Sequence, residues 1–289
     1  MEREWKLSRR ALAWGARTLV MGVLNVTPDS FSDGGRFFDL GRALEHAARM
    51  VEEGADVLDV GGESTRPGGS AVDEEEEARR VVPVVGALAA RVRVPVSVDT
   101  TKAGVARAAL DAGAEIVNDI SGLRFEPALA DVAARHDAGL ILMHSRGDFE
   151  TLHSQEPVAD IVKEVSGDWR RGVGEAERRG VGRGRIVLDP GIGFGKTQRQ
   201  NVELIAKLDV LARDFPEFPL LVGTSRKSFV GRLLGGAPAD GRVHGTMASV
   251  AAAVLRGASV VRVHDIRAAV ETVRVADAIK AEASSGGEG

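Results

Sequence analysis

The stretch SVVRVHD, residues 259–265, places an arginine and a histidine two positions apart at the end of an apolar run. Successive side chains of a strand point to opposite faces, so Arg262 and His264 would share one face with Val260, and Val261 and Val263 the other. Arginine is seldom fully buried unless it is paired. The spacing therefore predicts a cationic corner that faces an anionic group, and a phosphate or pyrophosphate suits it best.

Polar residues also stand at or just after the ends of the other apolar runs. They are Asn25, Asp59, Asp99, Asn118, His144, Asp189 and Thr224–Lys227. A polar residue at a single strand end is most often a turn residue or a helix cap. Polar residues at every strand end instead favour a shared site of carboxylates, amides and a cationic corner, to which Arg66 and Lys227 could add. Residue chemistry alone does not identify the substrate.

The apolar runs themselves predict eight strands. They lie at about residues 18–24, 56–60, 94–98, 115–118, 139–143, 185–188, 219–223 and 259–263. Continuous apolar runs are typical of strands covered on both faces, and the segments between them have helical periodicity. Such an alternation allows either a closed (β/α)8 barrel or a large doubly wound sheet.

We predict a single α/β domain, a (β/α)8 TIM barrel over residues 1–283, because the strand count and the chain length suit a barrel better. In a barrel the carboxyl ends of the strands converge on one face, where active sites are built. The last residues, 284–289, are predicted to be a disordered tail.

Composition narrows the class of function. The 289 residues are 44% hydrophobic and 28% charged, as in soluble globular proteins. The net charge of −4 argues against a nucleic-acid groove or a polybasic membrane surface. The chain has no cysteine, which excludes disulfides and thiolate chemistry, and no tyrosine. It has neither a signal-peptide core nor an apolar run of ~18 residues, so a cytoplasmic location is expected.

Four segments between the strands raise further hypotheses. Two long connections, NVTPDSFSDGGRFFD and GGESTRPGGSAVD, are typical of binding loops. The segment DPGIGFGKT ends like a nucleotide-binding P-loop, but that motif requires glycine where Pro190 stands, so we discount it. The run DEEEE, residues 73–77, is interpreted as the charged first turn of a solvated helix.

Eight short motifs follow one another along the chain. They are GVLNVTPDSFSDGG (22–35), DVGGESTRPG (59–68), SVDT (97–100), VNDISG (117–122), LMH (142–144), LDPGIGFGKT (188–197), SRKSF (225–229) and RVHD (262–265). Together they resemble the dihydropteroate synthases over residues 18–280. That family joins 6-hydroxymethyl-7,8-dihydropterin pyrophosphate to p-aminobenzoate and releases pyrophosphate, in folate biosynthesis.

The resemblance implies a role for each matching residue. The pterin subsite would comprise Asp99, Asn118, Met143, Asp189, Phe194 and Lys227. The pyrophosphate subsite would comprise Asn25, Arg262 and His264, with Mg²⁺ near Asn25. The p-aminobenzoate subsite and its loops would comprise Phe31, Asp33, Thr65, Arg66, Pro67 and Ser228. The catalytic set would be Asp99, Lys227, Arg262 and His264.

The resemblance also implies a dissociative mechanism, in which pyrophosphate leaves before the aniline nitrogen attacks. Two departures from the family pattern touch no residue that was given a role: LMHSRGDFE replaces the common LMHMRG, and Gln200 stands where histidine is frequent. Two alternatives stay open, a methyltetrahydrofolate-binding methyltransferase of the same fold and a non-catalytic pterin-binding protein. The family is usually homodimeric, and the apolar segment MASVAAAVL, residues 247–255, could supply an interface or pack on the barrel.

Overall fold

The computed structural model describes residues 3–26, 36–64, 72–152 and 155–285, with the backbone alone at 36–39, 284 and 285. Eight parallel strands form the central sheet. They are β3 (Leu19–Asn25), β4 (Val57–Gly61), β5 (Val96–Asp99), β6 (Ile116–Asp119), β7 (Gly139–Met143), β8 (Ile186–Asp189), β9 (Leu221–Val222) and β10 (Val260–Val263). All eight predicted strands are present, with bounds close to those predicted.

The sheet curls into a barrel in which chain neighbours are also spatial neighbours. The strand order runs from β8 back to β3 and then through β10 to β9. A parallel bridge between Leu188 and Leu220 joins β8 to the start of β9, and the amide of Leu188 donates to the carbonyl oxygen of Pro219 at 3.1 Å. The predicted (β/α)8 barrel is confirmed.

Helices follow the strands and cover the outside of the barrel. They are α1 (Arg36–Glu52), α2 (Glu74–Ala89), α3 (Ala103–Asp111), α4 (Ala128–Arg135), α5 (Ile161–Arg178), α6 (Gln198–Ala206), α7 (Leu208–Asp214), α8 (Ser228–Leu233), α9 (Val243–Leu255) and α10 (Ile266–Ser285). Helix α10 thus reaches two residues into the segment that was predicted to be a disordered tail, and residues 286–289 lie outside the described residues. Within the described residues, no helix is both long and apolar enough to cross a membrane.

Strand side chains alternate between two apolar clusters, as the period of a strand requires. Val260 belongs to the cluster inside the barrel, together with Met21 and Ile141. Val261 and Val263 belong to the larger cluster between the strands and the helices. Arg262 therefore shares the inward face with Val260, as the sequence predicts.

An N-terminal hairpin, which the sequence analysis did not predict, covers the amino-terminal end of the barrel. Strands β1 (Arg3–Lys6) and β2 (Ala11–Trp14) pair antiparallel. Trp5 is fully buried in the inner cluster, and its indole N–H donates to the carbonyl oxygen of Arg185 at 2.9 Å. Gly139 begins β7 below this ring, and a Cβ there would lie 2.6 Å from Leu7 and 3.1 Å from Trp5. The glycine provides the space that the hairpin needs.

The acidic run at the start of α2 is only partly solvated. Asp73 caps the helix, and its Oδ1 accepts from the amide of Glu76 at 2.8 Å. Glu77, however, is fully buried and pairs with Lys102, whose Nζ lies 2.5 Å from Glu77 Oε2 and 3.1 Å from Glu63 Oε2. The interpretation of the whole run as a solvated face is wrong at Glu77, because the half-buried Lys102 supplies a cationic partner for this buried carboxylate.

Candidate active site

Four neighbouring strands place a row of residues in register at their carboxyl ends. Asn25 lies opposite Gly61, Gly61 opposite Asp99, and Asp99 opposite Asn118. A Cβ added to Gly61 would lie 3.8 Å from Asn25 Oδ1 and 3.7 Å from Asp99 Oδ2. Because Gly61 has no side chain, a small space flanked by oxygen atoms remains at the barrel mouth.

Arg262 lies at the centre of the mouth between two carboxylates. Its Nε donates to Asp59 Oδ2 and its Nη2 to Asp99 Oδ2, both at 2.6 Å. Burial disfavours the guanidinium charge, but the two carboxylates outweigh burial and raise the pKa of Arg262. The groups opposite the cationic corner in the protein itself are therefore two aspartates.

Asp59, to which the sequence analysis gave no role, is the most enclosed of these carboxylates. Its side chain is fully buried, and Oδ2 accepts from Asn118 Nδ2 at 3.0 Å as well as from Arg262. A sequence signal existed, because Asp59 stands two residues before Gly61 and therefore on the same inward face. It was one of several polar strand ends, and nothing in its neighbours distinguished it.

Burial moves the pKa of two other carboxyl groups toward neutrality. Desolvation raises the pKa of Asp99 to about 7, against the attraction of Arg262 and with a further push from the charge of Asp59. Desolvation likewise raises the pKa of Asp189 to about 6, although the amide of Gly191 donates to its Oδ1 at 2.7 Å. Both groups are thus poised to gain from ligand N–H donors, which favour the ionised form.

Lys227 and two apolar side chains form another wall of the mouth. The Nζ of Lys227 lies 4.0 Å from the centroid of the Phe194 ring, within cation–π range. Desolvation and the charge of Arg262 lower the pKa of Lys227 to about 8, although Asp189 opposes the shift. Phe194 and Met143 are buried in one small apolar cluster, and Phe194 lies against Lys227.

The glycine-rich loop after β8 is held by its own lysine. Lys196 Nζ donates to the carbonyl oxygens of Gly191 at 2.8 Å, Phe194 at 2.9 Å and His144 at 3.3 Å. Gly191 has a φ of 64°, and a Cβ there would overlap the carbonyl oxygen of His144. Backbone contacts of this kind account for the GKT sequence without a bound nucleotide.

The loops after β9 and β10 meet beside the arginine. His264 Nδ1 lies 3.0 Å from Ser225 Oγ, which also accepts from the His264 amide at 3.2 Å. Arg226 has a φ of 57° and forms a bidentate pair with Asp265, with its shorter contact at 2.6 Å. Ser228, the first residue of α8, is exposed. The pair between Arg226 and Asp265 ties the loop that carries Lys227 to the loop that carries His264.

Comparisons with known proteins agree on one family. The family model described as pterin binding enzyme matches residues 21–264. A dihydropteroate synthase from Synechocystis sp. is 48% identical over 266 residues, which cover 92% of this chain and 91% of that protein. The chain belongs to the dihydropteroate synthases.

Solved structures support the same assignment. The structure of the Xanthomonas albilineans dihydropteroate synthase with 4-aminobenzoic acid has a TM-score of 0.88 at 43% identity and covers 96% of this chain and 99% of that one. The same enzyme in complex with 7,8-dihydropteroate has a TM-score of 0.84 at 40% identity, with coverage of 96% and 99%. The protein is therefore a transferase of folate synthesis, and these relatives give no support to the methyltransferase alternative.

The structure brings most of the predicted synthase residues to one place. Those at or beside the mouth are Asn25, Asp99, Asn118, Met143, Asp189, Phe194, Lys227, Arg262 and His264. The predicted loop residues Phe31, Asp33, Thr65, Arg66 and Pro67 lie outside the described residues.

His144 belongs to the supporting structure behind the mouth. It is fully buried next to α5, with Nε2 3.5 Å from Asp168 Oδ2 and 3.8 Å from Glu164 Oε1. Burial lowers the pKa of His144 to about 4, with a further contribution from Lys196. Burial therefore favours the neutral imidazole at this position.

Proposed function

We propose that this synthase joins 6-hydroxymethyl-7,8-dihydropterin pyrophosphate to p-aminobenzoate by dissociative loss of pyrophosphate. The observation that carries the proposal is Arg262, bonded to two carboxylates at the mouth where Asn118, Asp189 and Lys227 also converge. A planar ligand with N–H donors on one side and a diphosphate on the other matches that distribution of charge.

The pterin would be bound by its N–H edge. Asp189 and Asp99 are the acceptors, because an ionised carboxylate accepts two N–H bonds from a planar donor pair. Asn118 supplies an amide and Lys227 a donor for the ring's acceptor atoms. Met143 and Phe194 provide the apolar surface on which the ring lies.

The leaving group would lie at Arg262 and His264. Arginine has five N–H donors, and the contacts with Asp59 and Asp99 use two of them. In the proposed reaction the C–O bond breaks, and its electron pair leaves with pyrophosphate. The p-aminobenzoate nitrogen then attacks the pterin cation, forms the C–N bond and loses a proton to solvent. Fixed cations are most effective where charge develops in this way.

We further propose that Mg²⁺ assists this step, held by Asn25 together with substrate phosphate oxygens. The described residues contain no cluster of three or more His, Asp or Glu side chains that could hold a metal by themselves. The space above Gly61, flanked by Asn25 and Asp99 oxygens, suits an ion that takes most of its ligands from water and phosphate. Bound magnesium supplies positive charge that stabilises the departing pyrophosphate.

Release of pyrophosphate with both substrates present tests the proposal. We expect release only when the pterin pyrophosphate and p-aminobenzoate are combined, with one 7,8-dihydropteroate formed for each pyrophosphate. Binding of both compounds without turnover would instead support the non-catalytic alternative. A reaction that leaves p-aminobenzoate unconsumed would overturn the assignment of the acceptor.

We also propose that the enzyme is a cytoplasmic homodimer. In the segment MASVAAAVL, Val250, Ala253 and Val254 are buried against the barrel, whereas Leu255 is exposed. On the adjoining helix α10, Val275 and Ile279 are 62% and 54% exposed, and apolar residues so exposed on one helix support an interface. Sedimentation velocity should give a dimer, and Ile279→Glu should give a monomer with a folded barrel.

A further inference from the structure

One oxygen atom of Asp59 connects two side chains that face different parts of the mouth. Oδ2 accepts from Asn118 Nδ2 at 3.0 Å and from Arg262 Nε at 2.6 Å. The Asp59 side chain is fully buried, and its Oδ1 has no hydrogen-bond partner among the described residues. Asp59 is therefore placed to act through Asn118 and Arg262 rather than by reaching a ligand from solvent.

The contact with Asp59 determines which way the Asn118 amide faces. An ionised carboxylate can only accept hydrogen bonds, so Asn118 must turn its NH₂ group toward Asp59. Its carbonyl oxygen is then left as the group that a ligand can meet. Without that partner the amide could rotate by half a turn and offer donors instead, because its two ends are nearly equal in shape.

The contact with Arg262 holds one edge of the guanidinium. Asp59 binds Nε, and Asp99 binds Nη2, so the two carboxylates together fix the plane of the group. Asp99 is partly exposed, with 17% of its side chain accessible, whereas Asp59 is not. A ligand that engages Asp99 would therefore leave Asp59 as the support that keeps the guanidinium in place.

We propose that Asp59 is a positioning residue that makes Asn118 an acceptor for a pterin N–H group and holds Arg262 for the pyrophosphate. The proposal rests on the proposed function, since it assigns the two subsites to one substrate. It predicts that replacement of Asp59 weakens two chemically different ligands, each through a different neighbour.

A double-mutant cycle tests the action through Asn118. The probe is 6-hydroxymethylpterin, which has no phosphate, titrated calorimetrically into the wild type, Asp59→Ala, Asn118→Ala and the double variant. We expect Asp59→Ala to weaken binding ~10-fold in the wild-type background, the scale of one well-placed hydrogen bond. In the Asn118→Ala background the same change should cost less than ~2-fold, because residues that act as a unit are not additive. Equal losses in both backgrounds would overturn the proposal.

A second cycle with inorganic pyrophosphate tests the action through Arg262. Asp59→Ala should weaken pyrophosphate binding in the wild type but change it little in Arg262→Ala. Full retention of pyrophosphate affinity by Asp59→Ala would refute the support of Arg262. If the wild-type protein binds neither probe, the proposed function is rejected, and this proposal with it. If the wild type binds both probes but the losses in the two cycles are additive, only the role of Asp59 is rejected.

Asp119 provides the matched control. It is also a buried carboxylate at the end of a strand, but it accepts from the backbone amides of Ser121 at 2.7 Å and Leu123 at 2.6 Å. Asp119→Asn should therefore lower the melting temperature without changing the affinity for either probe. If Asp59→Ala does not fold, the isosteric Asp59→Asn replaces it in both cycles. Losses for Asp59→Asn that match those for Asp119→Asn would reduce Asp59 to a structural role and refute the proposal.

Discussion

Replacement of Arg262 by alanine should separate its role in binding a leaving group from its role in neutralising two carboxylates. The Arg262 side chain is 21% exposed, and its guanidinium makes two contacts of 2.6 Å, one with Asp59 and one with Asp99. Removal of one partner from a buried pair costs ~3–5 kcal/mol. Partial exposure of the pair and proton uptake by Asp99 reduce this destabilisation. We therefore expect the free energy of unfolding to fall by ~2–3 kcal/mol and the melting temperature by ~5 °C.

The effect on ligands should depend on pH. Arg262 is the strongest attraction that lowers the pKa of Asp99, so its removal raises that pKa above its present value of about 7. Near pH 7 the protonated Asp99 would accept pterin N–H groups poorly, and a phosphate-free pterin would bind more weakly. This loss should shrink as the pH rises, because Asp99 becomes ionised again. The sequence left open whether Arg262 faces a pyrophosphate alone or also pairs with a neighbouring carboxylate, and the structure shows that it contacts two carboxylates.

For the pyrophosphate substrate the loss should persist at every pH. A cation that stabilises the negative charge developing on the departing pyrophosphate contributes more in the transition state than in the ground state, so kcat and kcat/KM should both fall. We expect Arg262→Ala to lower kcat/KM by at least ~10²-fold, which corresponds to a loss of ~3 kcal/mol of transition-state stabilisation. The assays are pyrophosphate release and calorimetric titration of 6-hydroxymethylpterin across pH 6.5–9, with Arg262→Lys as the control that keeps a charge without the fork. Losses that shrink equally for both ligands would refute the leaving-group role.

Four other outcomes follow from the same site and fold. Asp189→Asn should weaken phosphate-free pterin binding by ~2–3 kcal/mol, the scale of charge-assisted hydrogen bonds, and unchanged affinity in a folded variant would remove Asp189 from the site. Exhaustive chelation should stop turnover, with recovery on addition of Mg²⁺ and no effect on 6-hydroxymethylpterin binding; full turnover in chelator would contradict the metal proposal. Trp5→Ala should destabilise the fold by ~3–5 kcal/mol without a change in KM, and a raised KM would show that the hairpin affects the mouth. The folded-state pKa of Asp99, about 7, exceeds its ordinary value of 3.8, so the folded state holds more protons than the unfolded state between these two pH values. The contribution of Asp99 to the free energy of unfolding should therefore fall as the pH rises from 3.8 to 7. Asp99→Asn should remove that component from urea unfolding followed against pH, and an unaltered slope would contradict the raised pKa.

The barrel could be predicted because its strands are continuous apolar runs, which indicate buried strands without any knowledge of their partners. The N-terminal hairpin could not be predicted in the same way. Each of its strands has only four residues, and Trp5 is buried by the barrel end that it covers rather than by its own neighbours. Glu77 was misread for a similar reason: its partner Lys102 lies 25 residues away.

Most of the site's residue types could be predicted from polar residues at strand ends, but their pairing could not. Asp59 contacts Asn118 and Arg262, which are 59 and 203 residues distant along the chain. Polar residues at all the strand ends predict that a site exists. Which oxygen serves which donor depends on strand register, and no spacing in the sequence specifies it.

The pairing also explains why the mouth is suited to a ligand that carries both donors and negative charge. Three carboxylates, Asp59, Asp99 and Asp189, face two cations, Arg262 and Lys227, and burial disfavours the charged forms of Asp99, Asp189 and Lys227. The contacts within the folded protein therefore do not fully compensate for the burial of these charged groups. Pterin N–H groups would favour the ionised carboxylates, and a pyrophosphate would take the donors that Arg262 does not use for Asp59 and Asp99. In the proposed reaction each part of the substrate would stabilise charged groups that burial disfavours, so binding and charge stabilisation at the leaving group would depend on the same residues.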